Sequence, residues 1–320
     1  MTHAAPRSID VLMVGPMPAS ITQHVEDHYR LHRWWEIEDK TSFLKAHGQN
    51  VRGIVTSGRH GASRELMESL PKLEAIISQG VGYDPIDITT AKARHIVVTN
   101  TPTVLNACVA DTALALLLNV SRRFCLADRF VRDGRWDTET FPLTRKPSGK
   151  RCGIVGLGSI GLEIAKRAVA FDMSIAYYNR HPRRDVPSHY HYYDNLIALA
   201  ENSDFLVVVV PGGAHTRHLI NHAVLDALGS DGYLINVSRG TVVDENALIS
   251  ALQERRIAGA GLDVFEHEPS VPMALRAMEH VVLLPHVASG TEETRQAMAD
   301  LVVKNLDGWF REGLVYTRVV

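Results

Sequence analysis

"GIVGLGSIGLEIAKR", residues 153–167, follows a strand-like run and opens a helix-like one. It contains Gly156-Leu157-Gly158-Ser159-Ile160-Gly161, the spacing G-x-G-x-x-G. Alone that spacing is a weak signal. Between an apolar "CGIVG" and an amphipathic "GLEIAKRA" it is the turn that cradles the pyrophosphate of a dinucleotide. Gly156 permits the tight turn, Gly158 lets backbone approach the phosphates, and Gly161 allows helix and strand to pack closely. The free N–H groups of the helix N-terminus carry a partial positive charge toward the anion. A glycine-rich turn with no ligand is the bland alternative, and the strand-turn-helix context disfavours it.

The next strand-like run, "SIAYYNR", ends 18 to 19 residues after Gly161. A site for NAD places Asp or Glu roughly 20 residues on, where it accepts bonds from ribose hydroxyls. Here "YYNRHPRR", residues 177–184, offers Asn179, Arg180 and Arg183 instead. A carboxylate would repel a 2'-phosphate and a guanidinium would pair with it. The cofactor expected is therefore NADPH, with NADH less favoured. The rival reading is a solvated basic loop beside an NAD pocket.

Outward from this turn, short apolar runs alternate with helical patterns, as βαβ units and parallel sheets require. "IDVLMVG", "VRGIVTSG", "LEAIISQG" and "HIVVTNTP" make one series. "KRCGIVGLG", "SIAYYNR", "DFLVVVVP", "GYLINVS", "GAGLDVF" and "HVVLLPH" make a second. Two series in 320 residues predict two α/β domains. Between them lies a long helical stretch, "ACVADTALALLLNVSRRFCLADRFVRDG", then an irregular arm, "RWDTETFPLTRKPSGK".

The 34 basic and 36 acidic residues leave a net charge of -2, which argues against nucleic acid as a partner. No apolar run reaches the roughly 18 residues of a membrane span, and the first residues lack a signal-peptide pattern. Cys108, Cys125 and Cys152 form no paired motif, so a cytoplasmic protein is expected. His24, His28 and His32 recur at i, i+4 and i+8, and His215, His218 and His222 are also close together. No carboxylate or cysteine motif fixes a ligand geometry around them, so no metal is expected.

Three residues fall just past strand-like runs: Arg239 in "LINVSRGTVVDENAL", Glu268 in "GAGLDVFEHEP" and His286 in "VVLLPHVASGT". Ligands of open α/β sheets bind outside the carboxyl ends of the strands, so the three can converge. A guanidinium holds a carboxylate by two bonds. An imidazole delivers a proton near neutral pH, and a neighbouring carboxylate favours its charged form. Singly, each also reads as a helix-end charge, a turn residue or a core histidine.

With "GIVGLGSIG", "NVSRGTVVDENAL", "GLDVFEHEP" and "LPHVASGT" in this order, the chain resembles the D-isomer-specific 2-hydroxyacid dehydrogenases over nearly its full length. "YYNR", "EHEPSVP" and "LLPHVASGTEETR" make it most similar to the NADPH-dependent glyoxylate/hydroxypyruvate reductases among them. The resemblance implies an α/β fold of two Rossmann-like domains. One is a flavodoxin-like substrate domain, residues 1–100 plus 289–320. The other is an NAD(P)-binding Rossmann domain, residues 101–288, with the active site in the cleft between them. It implies that Arg239 binds and polarises a 2-oxo acid, that His286 is the proton donor, and that Glu268 is its partner. Val81 and Gly82 of "SQGVGYDPIDI" would offer backbone N–H groups to the substrate carboxylate. Val210, Pro211, Thr216, Val237, Ser238, Asp263, Ser289 and Gly290 would line the cofactor, although "PGGAHTRH" departs from the family's usual loop. A homodimer built through the segment after "VSRRF" is implied, with Trp136 toward the partner. The activity implied is reduction of glyoxylate or hydroxypyruvate to the D-hydroxy acid. An NAD-dependent dehydrogenase of another 2-hydroxy acid, or a nucleotide-sensing corepressor on the same fold, are the alternatives.

Overall fold

Short runs of β-branched and aliphatic residues, buried on both faces, set the architecture of the computed structural model, which describes residues 9–320. The chain forms two units. One comprises Thr291–Val320 and the described part of Met1–Leu105, and the other comprises Asn106–Gly290.

The first unit holds strands β1 (Asp10–Met13), β2 (Arg30–Arg33), β3 (Val51–Ser57), β4 (Ala75–Gln79) and β5 (Val97–Thr99). They are all parallel, in the order β2-β1-β3-β4-β5, a doubly wound order. Successive side chains of a strand point to opposite faces. Accordingly Val11, Met13, Val55 and Ile77 pack with Ile21, Val25, Val302 and Leu306 on one side. Leu12, Ile54, Ile76 and Val98 pack with Met67 and Ala91 on the other. The last helix, Glu292–Asp307, thus completes the core of a sheet built almost 200 residues earlier. Thr291 caps it, its hydroxyl accepting the Thr294 N–H at 3.3 Å.

The second unit holds β6 (Arg151–Val155), β7 (Ser174–Tyr178), β8 (His191–Tyr193), β9 (Phe205–Val208), β10 (Tyr233–Asn236), β11 (Gly259–Leu262) and β12 (Val281–Leu283). The order is β12-β11-β10-β9-β6-β7-β8, again all parallel. Strand β6 lies between β7 and β9, so the winding reverses there. That switch point is where a crevice opens at the carboxyl ends of a Rossmann sheet.

Three details differ from the sequence reading. The sheets gain β2 ("RLHR") and β8 ("HYY"), both edge strands whose polar, half-exposed residues give no apolar run. The long helical stretch is two helices, Asn106–Arg122 and Phe124–Arg132, divided where Arg123 turns left-handed at φ 53°. His24, His28 and His32 do not share a helix, because the helix Ala19–His28 stops before β2. His24 meets Asp307 at 3.1 Å and His32 meets Asp10 at 2.6 Å. Among the described residues no helix is long and apolar enough to cross a membrane.

Candidate active site

The glycine turn lies at the switch point, between β6 and the helix Ser159–Val169. Gly156 takes φ 102°, open to few residues but glycine. A side chain there would also press within 2.7 Å of Val210 Cγ1. A Cβ on Gly161 would collide with the Gly156 carbonyl, so that glycine permits the close helix–strand contact. Nothing lies within 4 Å of a Cβ built on Gly158, and no side chain caps the helix behind it. An open glycine face before uncapped N–H groups is a cradle that suits a pyrophosphate. The residues therefore fit the dinucleotide that the motif implies.

The segment beyond β7 divides its labour. Asn179 Oδ1 accepts the Leu157 N–H at 2.7 Å, which ties it to the glycine turn. Arg183 donates to the Leu157 carbonyl at 3.0 Å and pairs with Asp185. Its own N–H donates to the Tyr177 hydroxyl at 3.0 Å. The Arg180 side chain is exposed and has no hydrogen bond or ion pair among the described residues. Thus Asn179 and Arg183 brace the turn, and Arg180 is left with all its donors.

After β9, Val210 flanks Gly156, and Thr216 donates to the Pro211 carbonyl at 2.7 Å, closing the Gly212-Gly213 loop. After β10, Asn236 is the organising residue. Its Oδ1 accepts the Ser238 N–H at 3.0 Å and hydroxyl at 2.7 Å, and its amide donates to the Arg239 carbonyl at 3.1 Å. Val237 is buried, its N–H donating to the Val208 carbonyl at 3.2 Å. Gly240 then passes so close to the Phe265 and Glu266 backbone that any side chain would collide. That approach brings Arg239 beside the segment that carries Glu268.

Glu268 Oε2 lies 2.7 Å from His286 Nδ1, and its Oε1 accepts the Phe265 N–H at 3.1 Å. Burial pushes the Glu268 carboxyl up. The hydrogen bond and charge of His286, the Phe265 N–H and the Arg239 charge outweigh it, so the carboxyl falls below its ordinary range. The three catalytic candidates therefore share one electrostatic site. With Nδ1 engaged, Nε2 is the ring nitrogen left to give a proton.

His286 has a left-handed backbone, φ 55°, a conformation that costs energy and needs support from its surroundings. Asp263 supplies it. The Asp263 carbonyl accepts the His286 N–H at 2.8 Å, and its carboxylate accepts Val287 N–H at 2.7 Å and Ala288 N–H at 2.9 Å. Burial pushes the Asp263 carboxyl up against the opposing pull of those two N–H groups and of His286. Gly290 N–H donates to the Val287 carbonyl at 2.7 Å, so Ser289 and Gly290 close the same turn. The sequence reading missed these holding roles of Asn236 and Asp263. The available signal was a polar residue at the end of a buried strand.

In the first unit, Val81 and Gly82 follow β4. Asn100 donates to the Val81 carbonyl at 2.8 Å, and Thr101 brackets Gly80 by two bonds of 2.9 Å. Neither the Val81 nor the Gly82 N–H donates to another described residue.

Residues 114–288 match the family model described as D-isomer specific 2-hydroxyacid dehydrogenase, NAD binding domain. The chain belongs to this family. It is 48% identical to a hydroxyphenylpyruvate reductase of Plectranthus scutellarioides, covering 98% of this chain and 99% of the relative. It is 49% identical to glyoxylate/hydroxypyruvate reductase A of Arabidopsis thaliana, with the same coverage. Among solved structures it is similar to the NADPH-dependent glyoxylate/hydroxypyruvate reductase of Sinorhizobium meliloti, determined with NADP and malonate. There the TM-score is 0.91 and the identity 46%, over 98% of this chain and 97% of that one. As a 2-hydroxyacid dehydrogenase the chain is an oxidoreductase that uses a nicotinamide cofactor on small 2-oxo or 2-hydroxy acids.

Proposed function

We propose that this dehydrogenase reduces glyoxylate or hydroxypyruvate to the D-2-hydroxy acid with NADPH. The observation that carries the reading is the Glu268–His286 contact of 2.7 Å beside Arg239, in a unit that also holds the glycine turn. The names of the plant and Sinorhizobium relatives support the substrate class.

When bound, the reduced nicotinamide supplies a hydride to C2 of the oxo acid. Arg239 holds the substrate carboxylate and draws electron density toward the 2-oxo oxygen. His286 Nε2 gives its proton to that oxygen as negative charge develops there. Glu268 stays ionised and holds the ring by Nδ1, which fixes its orientation and leaves Nε2 to face the substrate. Val81 and Gly82 offer their N–H groups to the carboxylate. Gly156, Leu157, Gly158, Ser159, Ile160 and Gly161 hold the pyrophosphate. Arg180 pairs with the 2'-phosphate, and Asn179 and Arg183 keep the turn in place. The remaining cofactor positions are Val210, Pro211, Thr216, Val237, Ser238, Asp263, Ser289 and Gly290.

A homodimer formed through the segment after Arg123 belongs to the same reading. Phe124, Val131, Trp136 and Leu143 are exposed along it, and these uncovered apolar side chains support that reading. Turnover of a panel of 2-oxo acids with NADPH and NADH, followed by chiral chromatography of the product, tests the activity. D-glycerate from hydroxypyruvate is expected, and an L product would remove the reading.

A further inference from the structure

At the opposite end of the second sheet from the glycine turn lies a cavity of about 510 Å³. It sits where Tyr233 begins β10, Ala258 precedes β11 and His280 precedes β12, so it is at the amino ends of these strands. The residues of the hydride and proton chemistry all follow carboxyl ends. This cavity is therefore a separate site.

Its lining is cationic. Arg123, Arg145 and Arg255 face a single lining carboxylate, Glu279. Arg145 is neutralised from outside the lining by Asp231 at 2.5 Å. Arg123 reaches Glu279 at only 3.4 Å, and its Nε is buried without a hydrogen-bond partner. The Arg255 side chain is exposed and has no hydrogen bond or ion pair among the described residues. A buried donor left unmade is costly and asks for an acceptor. Both Arg123 and Arg255 hold left-handed backbones, φ 53° and 57°, a strain that gathers at ligand clamps. Burial first, then the charges of Arg255 and Arg123 against the opposing Leu252 carbonyl and Glu279, hold His280 below the ordinary histidine range.

We propose that this cavity binds a small multivalent anion, its phosphate or carboxylate oxygens bridging Arg123 and Arg255. Guanidinium forks match such planar or tetrahedral oxygens by paired bonds, and the volume suits a small metabolite. Leu143, from the segment proposed to pair two copies, also borders the cavity. An acidic segment of a second copy is thus the rival occupant.

The test is calorimetric titration of the full chain with pyrophosphate and with citrate, at constant ionic strength and with saturating NADP+ to occupy the glycine turn. Pyrophosphate reports the phosphate source and citrate the polycarboxylate source. One saturable site per chain is expected for at least one of them. Arg255→Gln should weaken it tenfold or more, and Arg255→Lys less. Glu279→Gln should tighten it several-fold, a gain that misfolding does not produce. Absence of saturable binding, or equal affinity in Arg255→Gln and the parent, overturns the proposal. It is also overturned if Arg255→Gln dissociates an oligomer in sedimentation while anion affinity stays the same.

Discussion

Asp263 holds His286 in place: the Asp263 carbonyl accepts the His286 N–H at 2.8 Å, and the Asp263 carboxylate secures the next two N–H groups. Asp263 is 1% exposed, so no water replaces it. Asp263→Asn sets an amide donor against one of those two N–H groups. An unsatisfied buried donor costs about 1–3 kcal/mol. The variant should melt several degrees lower, at about 2–4 °C per kcal/mol for a domain of this size. Because the turn that follows His286 at φ 55° loses one of its two side-chain bonds, kcat should fall at least tenfold while KM for the oxo acid changes little. Parent-like kcat in a folded variant would exclude the positioning role.

Asn179 and Arg180 are neighbours with separable effects. Asn179 braces the Leu157 N–H, which serves any dinucleotide, whereas Arg180 is exposed and keeps its donors free. Arg180→Asp should lower kcat/KM with NADPH by about tenfold to a hundredfold, since charged hydrogen bonds contribute about 1.5–3 kcal/mol, and should spare NADH. Asn179→Ala should weaken both cofactors alike. Steady-state kinetics with each cofactor decide it. Equal use of NADH and NADPH by the parent would sink the assignment of Arg180.

What the sequence made legible follows from how local the signals are. The glycine turn, the apolar strands and the order of Arg239, Glu268 and His286 are each written in a few adjacent residues. Edge strands β2 and β8 are not, because one side of such a strand meets solvent and carries Arg, His and Tyr. The break at Arg123 rests on a left-handed residue other than glycine, which composition does not announce. Asn179 read as a 2'-phosphate ligand because its position suggests one. Its bond to Leu157 spans 22 residues and depends on the register of β6 and β7. Asp263 supports a turn more than 20 residues later, and only the adjacency of β11 and β12 brings them together.

The exposed segment after Arg123 predicts association. Trp136 is 69% exposed and Leu143 is fully so. Leu143→Asp should weaken a homodimer by about a hundredfold or more, since each of two buried leucines contributes about 1.5–3 kcal/mol. If Trp136 enters the neighbouring copy's pocket, Trp136→Ala should change KM for larger oxo acids and leave NADPH affinity near the parent value. Sedimentation velocity across a concentration series measures the first effect. A parent protein that is monomeric and fully active would remove both expectations.

The pair Glu268–His286 makes the reaction's pH dependence a matter of charge. Burial raises the Glu268 carboxyl, but His286, the Phe265 N–H and Arg239 together lower it below its ordinary 4.5. Its ionised form is thus the one the fold stabilises. That stabilisation is complete above the unfolded value and is lost as pH falls through the lower folded value. Through neutral pH Glu268 therefore remains a carboxylate and keeps its bond to the His286 ring. Reductive kcat/KM should therefore hold from mildly acid to neutral pH and fall only in stronger acid, where Glu268 takes up a proton. Glu268→Gln keeps size and hydrogen bonding but removes the charge. The acid fall should then disappear from the profile, and the acid loss of stability due to this carboxylate should vanish with it. His286→Ala should cost about a hundredfold or more in kcat, the usual scale for a lost general acid, with cofactor affinity little changed. Two reductive pH profiles and one turnover measurement suffice. An unmoved profile in Glu268→Gln would reject the coupling, and near-parent turnover in His286→Ala would reject the proton donor itself.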